Sequence, residues 1–217
     1  MLSKMREPVN GLTHLCGAIA AFFGMLAMFI IAWGVSAKVI SVLVYSLGLI
    51  AMFLASAIYH IAMVKPPVLQ TLRKIDHSAI FLLIAGTYTP FCVLAFTGFW
   101  HWGLLILIWV IAAIGIMVKI FYIRSPRWLH TGIYVIMGWL CVMAAPQMPS
   151  VLPVNAMVWL FTGGVLYTLG AVIYATKILD FVPGKFGFHE VWHIFVLLGA
   201  LAHFIAVISL LVLPAAA

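Results

Sequence analysis

Acidic side chains are nearly missing from this sequence: among 217 residues there are four, Glu7, Asp76, Asp180 and Glu190. Charged residues of both signs make up 7% of the chain, where soluble domains carry roughly a quarter. That scarcity excludes a surface bathed in water. Cysteine is scarce too. Cys16, Cys92 and Cys141 lie in apolar runs without a C-x-x-C pair, so they read as small hydrophobes inside helices rather than as a disulfide framework. No polar stretch is long enough for a separate soluble unit, and residues 1–217 read as one domain. The net charge of +7 and pI near 9.5 would suit a nucleic-acid binder. The basic residues, however, form no patch interleaved with aromatics, so no nucleic-acid partner is expected.

What remains is apolar. Hydrophobic residues make up 67% and the mean hydropathy is +1.27, which defines a polytopic helical membrane protein. A transmembrane helix needs about 20 apolar residues. Seven stretches qualify: Leu12–Trp33, Val39–Val64, Ile75–Phe96, Trp102–Tyr122, Trp128–Ala145, Val154–Thr176 and Phe188–Leu213. The first follows Lys4 and Arg6 as a signal peptide would, but it is too long for an h-region of roughly 7–15 residues and reads as an uncleaved span. Pro66-Pro67, Ser125-Pro126, Pro149 with Pro153, and Pro183-Gly184 punctuate four connections. Ten of the eleven Lys and Arg residues fall on one side, and only Lys38 falls on the other. The positive-inside rule then predicts an all-α, seven-transmembrane helix bundle with a cytoplasmic N-terminus and a C-terminus outside. A bacterial inner membrane is the expected location. No internal repeat of the transporter kind is evident, and nothing fixes an oligomeric state.

Chemistry concentrates at one depth. His189 and His193 are four apart, so they share a helix face one turn apart. His60 lies one turn above the expected inner end of the second span, with Ser56 a turn deeper on the same face. Asp76 falls in the expected first turn of the third span. Three helices thus carry His60, Asp76, His189 and His193 into one shallow layer beneath the cytoplasmic face. Neutral imidazoles in a membrane are costly unless bound. A lone histidine there would hydrogen-bond a neighbouring helix; a pair at this spacing with a third histidine and an aspartate at the same depth favours a metal. Zinc suits imidazole ligands, and three protein ligands leave a fourth position for water, which it activates. Asp76 would orient that water or take its proton, and Ser56 would support a ligand or an oxyanion.

Two features compete. His189-Glu190-x-x-His193 matches the H-E-x-x-H metalloprotease pattern. A zincin needs a third ligand downstream, and His203 is roughly 15 Å deeper on the same helix, too far to share an ion. Glu7, Asn10 and His14 could share one face of the first helix. His14 is expected to cap a helix or bond a neighbour, and His101 and His130 are expected to be ordinary interfacial residues.

Glu7-x-x-Asn10-x-x-Thr13-His14, Ser56-Ala57-Ile58-Tyr59-His60, the run Asp76-His77-x-Ala79-Ile80 through Gly86-Thr87-Tyr88-Thr89-Pro90-Phe91, and His189-x-x-Trp192-His193-x-Phe195 with His203-Phe204 together resemble the bacterial hemolysin III family. That family belongs to the adiponectin and progestin receptor superfamily and is distantly similar to alkaline ceramidases. The resemblance implies seven transmembrane helices and a zinc ion near the cytoplasmic face. Its ligands would be His60, His189 and His193, with Asp76 holding the zinc-bound water and Ser56 as the serine of S-x-x-x-H. Glu190 is outside the family pattern, and the long N-terminal region of the animal receptors is lacking, which speaks against a protein hormone. The function expected is a zinc-dependent membrane hydrolase of a lipid amide or ester. The alternatives are a non-catalytic, zinc-stapled receptor or sensor and, ranked last, a cytolysin.

Overall fold

The computed structural model describes residues 5–122, 126–182 and 186–212. Eight α-helices follow in order: α1 (Pro8–Ala32), α2 (Ser36–Ile61), α3 (Pro66–Leu94), α4 (Phe99–Phe121), α5 (Arg127–Trp139), α6 (Met148–Val151), α7 (Val154–Thr176) and α8 (Phe188–Leu211). Six of them, all but α5 and α6, are long and apolar enough to cross a membrane. Large apolar side chains such as Phe23, Ile30, Ile114 and Leu201 face outward along these helices, a surface suited to hydrocarbon rather than water.

Helix contacts run α1 to α2 to α3 to α5 to α7 to α8 and back to α1, closing a ring, while α4 packs on the outside against α3. The α2–α3 crossing is close because small residues meet there. A Cβ on Gly48 would come within 2.8 Å of the Leu82 carbonyl oxygen, and one on Gly86 within 3.1 Å of the Val44 oxygen. Without side chains at these two positions the backbones approach directly, as in other membrane helix pairs.

Three elements differ from expectation. Helix α3 begins at Pro66 instead of Ile75, because residues 67–74, a partly exposed segment of mixed polarity, continue the helix beyond the apolar run. Asp76 therefore lies about three turns in, not in the first. Helix α1 begins at Pro8, with the ring of Pro8 at its first position, which brings Asn10 and His14 onto the helix. The expected fifth span shows the largest departure. It is α-helical only to Trp139 and continues as a 3-10 helix over Leu140–Ala144.

The cause is a side chain from another helix. The Tyr88 hydroxyl accepts the Cys141 N–H at 2.7 Å and reaches the Gly138 and Met137 carbonyls at 2.8 and 3.0 Å. A hydroxyl wedged among these backbone groups takes over partners that α-helical bonding would use. At about 1.5 Å per α-helical and about 2.0 Å per 3-10 residue, the combined track is still roughly 30 Å long.

Candidate functional site

Helix α2 ends at Ile61, so His60 occupies its last turn, and α8 starts at Phe188, so His189 is in its first turn with His193 a turn on. The three imidazoles converge. Each offers a ligand atom, and these atoms lie within 4.8 Å of one another, an arrangement that could hold a metal ion. Ring centroids are 5.0 Å apart for His60–His189, 4.8 Å for His60–His193 and 5.0 Å for His189–His193, and each pair meets edge-on at 73–80°. The spacing is near-equal and no two of the three rings are stacked, which suits three ligands of a four-coordinate ion.

The surroundings support that use. The Glu7 carboxylate accepts the hydrogen bond of the His60 Nδ1–H, which leaves Nε2 as the lone-pair nitrogen. A carboxylate behind a histidine is the usual way to fix the tautomer and orientation of a metal ligand. Glu7 is itself held: its backbone N–H meets the His60 carbonyl at 2.9 Å, and Arg6 lies 3.3 Å from the other carboxylate oxygen. Arg6 also donates to the Tyr59 carbonyl at 2.8 Å and stacks over the Tyr59 ring. Although burial opposes its ionisation, the His60 hydrogen bond and the nearby Arg6 guanidinium hold the Glu7 carboxyl below its usual range. The His193 Nδ1 is buried with no hydrogen-bond partner.

Asp76 stands outside the trio, buried in the wall of the same cavity, with Ser56 as its hydrogen-bonding neighbour. The cavity has a volume of about 150 Å³. The trio, Ser56 and Asp76 line it, together with apolar side chains such as Ile80, Leu83, Ile84, Phe91, Phe161 and Val196 and with polar ones such as His77, Thr87, His130 and Thr131. All five residues singled out in the sequence for metal binding or catalysis, His60, His189, His193, Asp76 and Ser56, thus border one space.

Other expectations fare differently. Glu190 is fully engaged: it accepts the Gly187 N–H at 2.8 Å, closing the first turn of α8, and accepts the Asn10 amide at 2.8 Å. That structural employment leaves it no part in a protease-like site. His203 bonds the Leu160 carbonyl at 3.1 Å and packs against Gly163, away from the trio. His14 neither caps nor bonds a neighbour. It stacks on His193 at 3.8 Å and 21°, and both its nitrogens are buried without partners. His130 is buried in the cavity wall rather than interfacial. The role of Glu7 escaped the sequence reading, although the Glu7-x-x-Asn10-x-x-x-His14 stripe was its signal.

Fold and site define an integral membrane protein of apolar α-helices with a histidine trio that could hold a metal ion. The profile of the haemolysin-III related family matches residues 2–204, and the chain belongs to that family. It is 36% identical over 212 residues to hemolysin-3 of Bacillus cereus, covering 97% of this chain and 93% of the relative. It is 32% identical over 210 residues to a hemolysin-3 homolog of Bacillus subtilis (strain 168), covering 96% and 95%. The human monocyte to macrophage differentiation factor is 27% identical over 169 residues, 76% of this chain and 67% of that protein.

Proposed function

We propose that this protein is a zinc-dependent integral membrane hydrolase that cleaves a lipid amide or ester. The observation that carries this reading is the meeting of three imidazoles with Asp76 and Ser56 in one cavity whose wall also carries apolar side chains such as Ile80, Leu83, Ile84 and Val196. A reacting carbonyl can sit at the polar end while an acyl chain lies along Ile80, Leu83 and Val196. His60, His189 and His193 hold the ion. Zinc, when bound there, acts as a Lewis acid and lowers the pKa of water toward about 7. Asp76 receives the proton of the attacking water and returns it to the leaving amine or alcohol. Ser56 donates a hydrogen bond to the oxyanion that develops on the carbonyl. The apolar side chains of the wall limit the access of competing water and strengthen each of these contacts.

In the membrane, the α5 track with its 3-10 continuation serves as a seventh span, since roughly 30 Å matches the hydrocarbon thickness. The trio then lies near the cytoplasmic face of a bacterial inner membrane, on the side that collects the Lys and Arg residues. The assay is turnover of acyl amides, acyl esters and phospholipids by purified zinc-loaded protein beside Asp76→Ala. Equal turnover in both sinks the hydrolase.

A second reading is favoured by how the trio joins helices: a zinc ion there staples α2 to α8 in a receptor or sensor without turnover. It is chosen if zinc stabilises the protein and no lipid is cleaved. The name borne by the Bacillus relatives raises a cytolysin as a third reading. Leakage of dye-loaded liposomes on addition of the purified protein tests it.

A further inference from the structure

The histidines of the trio are not all held in the same way. His60 is oriented by its hydrogen bond to the Glu7 carboxylate. His193 has no such carboxylate: its Nδ1 is buried without a hydrogen-bond partner. A metal-ligating histidine normally has its ring fixed by a hydrogen bond from its second nitrogen. Without that bond another contact must set the plane of the ring, and His14 of α1 supplies one. Its imidazole lies flat on that of His193, with centroids 3.8 Å apart and planes inclined at 21°. His193 meets His60 and His189 edge-on instead, at 4.8 and 5.0 Å and at 80° and 74°. Of these three contacts, only His14 covers a face.

The packing of α1 delivers His14 to that place. Gly11 and Gly17 lie three residues to either side of it, on the same face of the helix. A Cβ on Gly11 would run into the Ile61 side chain of α2. One on Gly17 would come within 2.8 Å of Leu197 in α8 and 3.0 Å of Phe53 in α2. Helix α1 therefore lies flush against α2 and α8 on both sides of His14. The imidazole is wedged between His193 and Phe53, which meets it at 5.1 Å and 74°. It is 3% exposed and borders the cavity. Neither of its nitrogens has a hydrogen-bond partner, so its hold on His193 is exerted through the ring face. Burying an imidazole in this way costs stability, and an aliphatic side chain would fill the gap without that cost. The planar face is what an aliphatic side chain lacks.

We propose that His14 is a positioning residue of the metal centre: by stacking on His193 it fixes the plane in which that imidazole meets the ion, as Glu7 does for His60 by a hydrogen bond. A metal ion draws electron density from the ring that binds it. A neutral ring stacked on that imidazole then holds it by an attraction of the cation–π kind, which is strongest where water is excluded. The role rests on the trio being a metal site and stands whether or not that site turns over lipid.

The full chain, purified in detergent, is stripped of metal and reloaded. Zinc affinity is read by competition with a chromophoric chelator, and cobalt(II) is loaded separately because its visible absorption reports the arrangement of its ligands. His14→Leu keeps bulk but has no planar face. It is expected to bind zinc about ten-fold more weakly, within the worth of one desolvated cation–π contact, and to shift the cobalt(II) absorption. His14→Phe restores a flat face and should return both readings towards the parent. Phe53→Leu removes the ring on the far side of His14, a comparable loss of packing, and should leave both readings as in the parent. Should the larger ring of His14→Phe prevent folding, the comparison of His14→Leu with Phe53→Leu still decides. Parent-like zinc affinity and cobalt(II) absorption in His14→Leu overturn the role. An equal loss in Phe53→Leu overturns it too, because packing alone would then explain His14. A folded His14→Phe as weak as His14→Leu overturns the stacking, since the nitrogens would then be what matters. A parent that takes up no metal removes the trio as a metal site together with this role.

Discussion

At the scale of single residues, the carboxylate–imidazole contact between Glu7 and His60 separates metal binding from chemistry. Glu7 touches a ligand but does not border the cavity, whereas Asp76 borders the cavity but lies outside the trio. Glu7→Gln should therefore weaken metal affinity about 10–100-fold, read by competition with a chromophoric chelator. Asp76→Asn should bind metal within a few-fold of the parent and lose turnover. If both variants lose affinity alike, the division of labour is wrong. Glu190 gives a third case, because its two oxygens are spent on Gly187 and Asn10. Glu190→Ala should lower stability by about 0.5–2 kcal/mol, the usual worth of a helix cap, and leave turnover of zinc-loaded protein near the parent's. A collapse of turnover at unchanged metal content would instead return Glu190 to the chemistry. The difference between these acids was only half legible in the sequence. Spacing alone placed His189 and His193 on one face, and depth placed His60 and Asp76 beside them. Whether Glu190 pointed inward depended on Asn10, 180 positions away, which no local pattern encodes.

Among the elements, the departures from the sequence reading show that a helix need not end where its hydropathy does. The run Trp128–Ala145 is apolar throughout, yet it changes winding after Trp139 because Tyr88 of α3 binds its backbone. Helix α3 extends to Pro66 through Arg73 and Lys74, residues that hydropathy assigns to a loop. The α7 boundaries coincide with the apolar run Val154–Thr176. Tyr88→Phe keeps the ring but removes the hydroxyl that satisfies Cys141. An unpartnered N–H costs about 1–3 kcal/mol when buried and less when part-buried, as here, so a lowered melting midpoint is expected. An unchanged midpoint would mean that the 3-10 segment reverts to an α-helix without penalty and that Tyr88 is not what holds it.

For the whole molecule, the first helix links the elements that carry the histidine trio. Its start binds α2 through Glu7 and α8 through Asn10, and His14 stacks on His193 a turn further in. The trio is thus built across α2 and α8, which α1 already ties together, and a metal there adds a second cross-link between the same helices. An ion that binds only the folded chain stabilises it by about 4 kcal/mol when present at 1,000 times its dissociation constant. Chelation should therefore lower the melting midpoint of the purified protein, and zinc added back should restore it. His60→Ala should melt near the chelated parent and ignore zinc, since two histidines from α8 alone cannot cross-link helices. Hydrolase and staple agree on these outcomes and part on Asp76→Ala. Both expect its midpoint to rise with zinc as the parent's does, but only the hydrolase expects the parent to turn over lipid and the variant to fail. A parent whose midpoint is indifferent to chelation, with no metal in the purified preparation, would defeat both at once and leave the three imidazoles as packing.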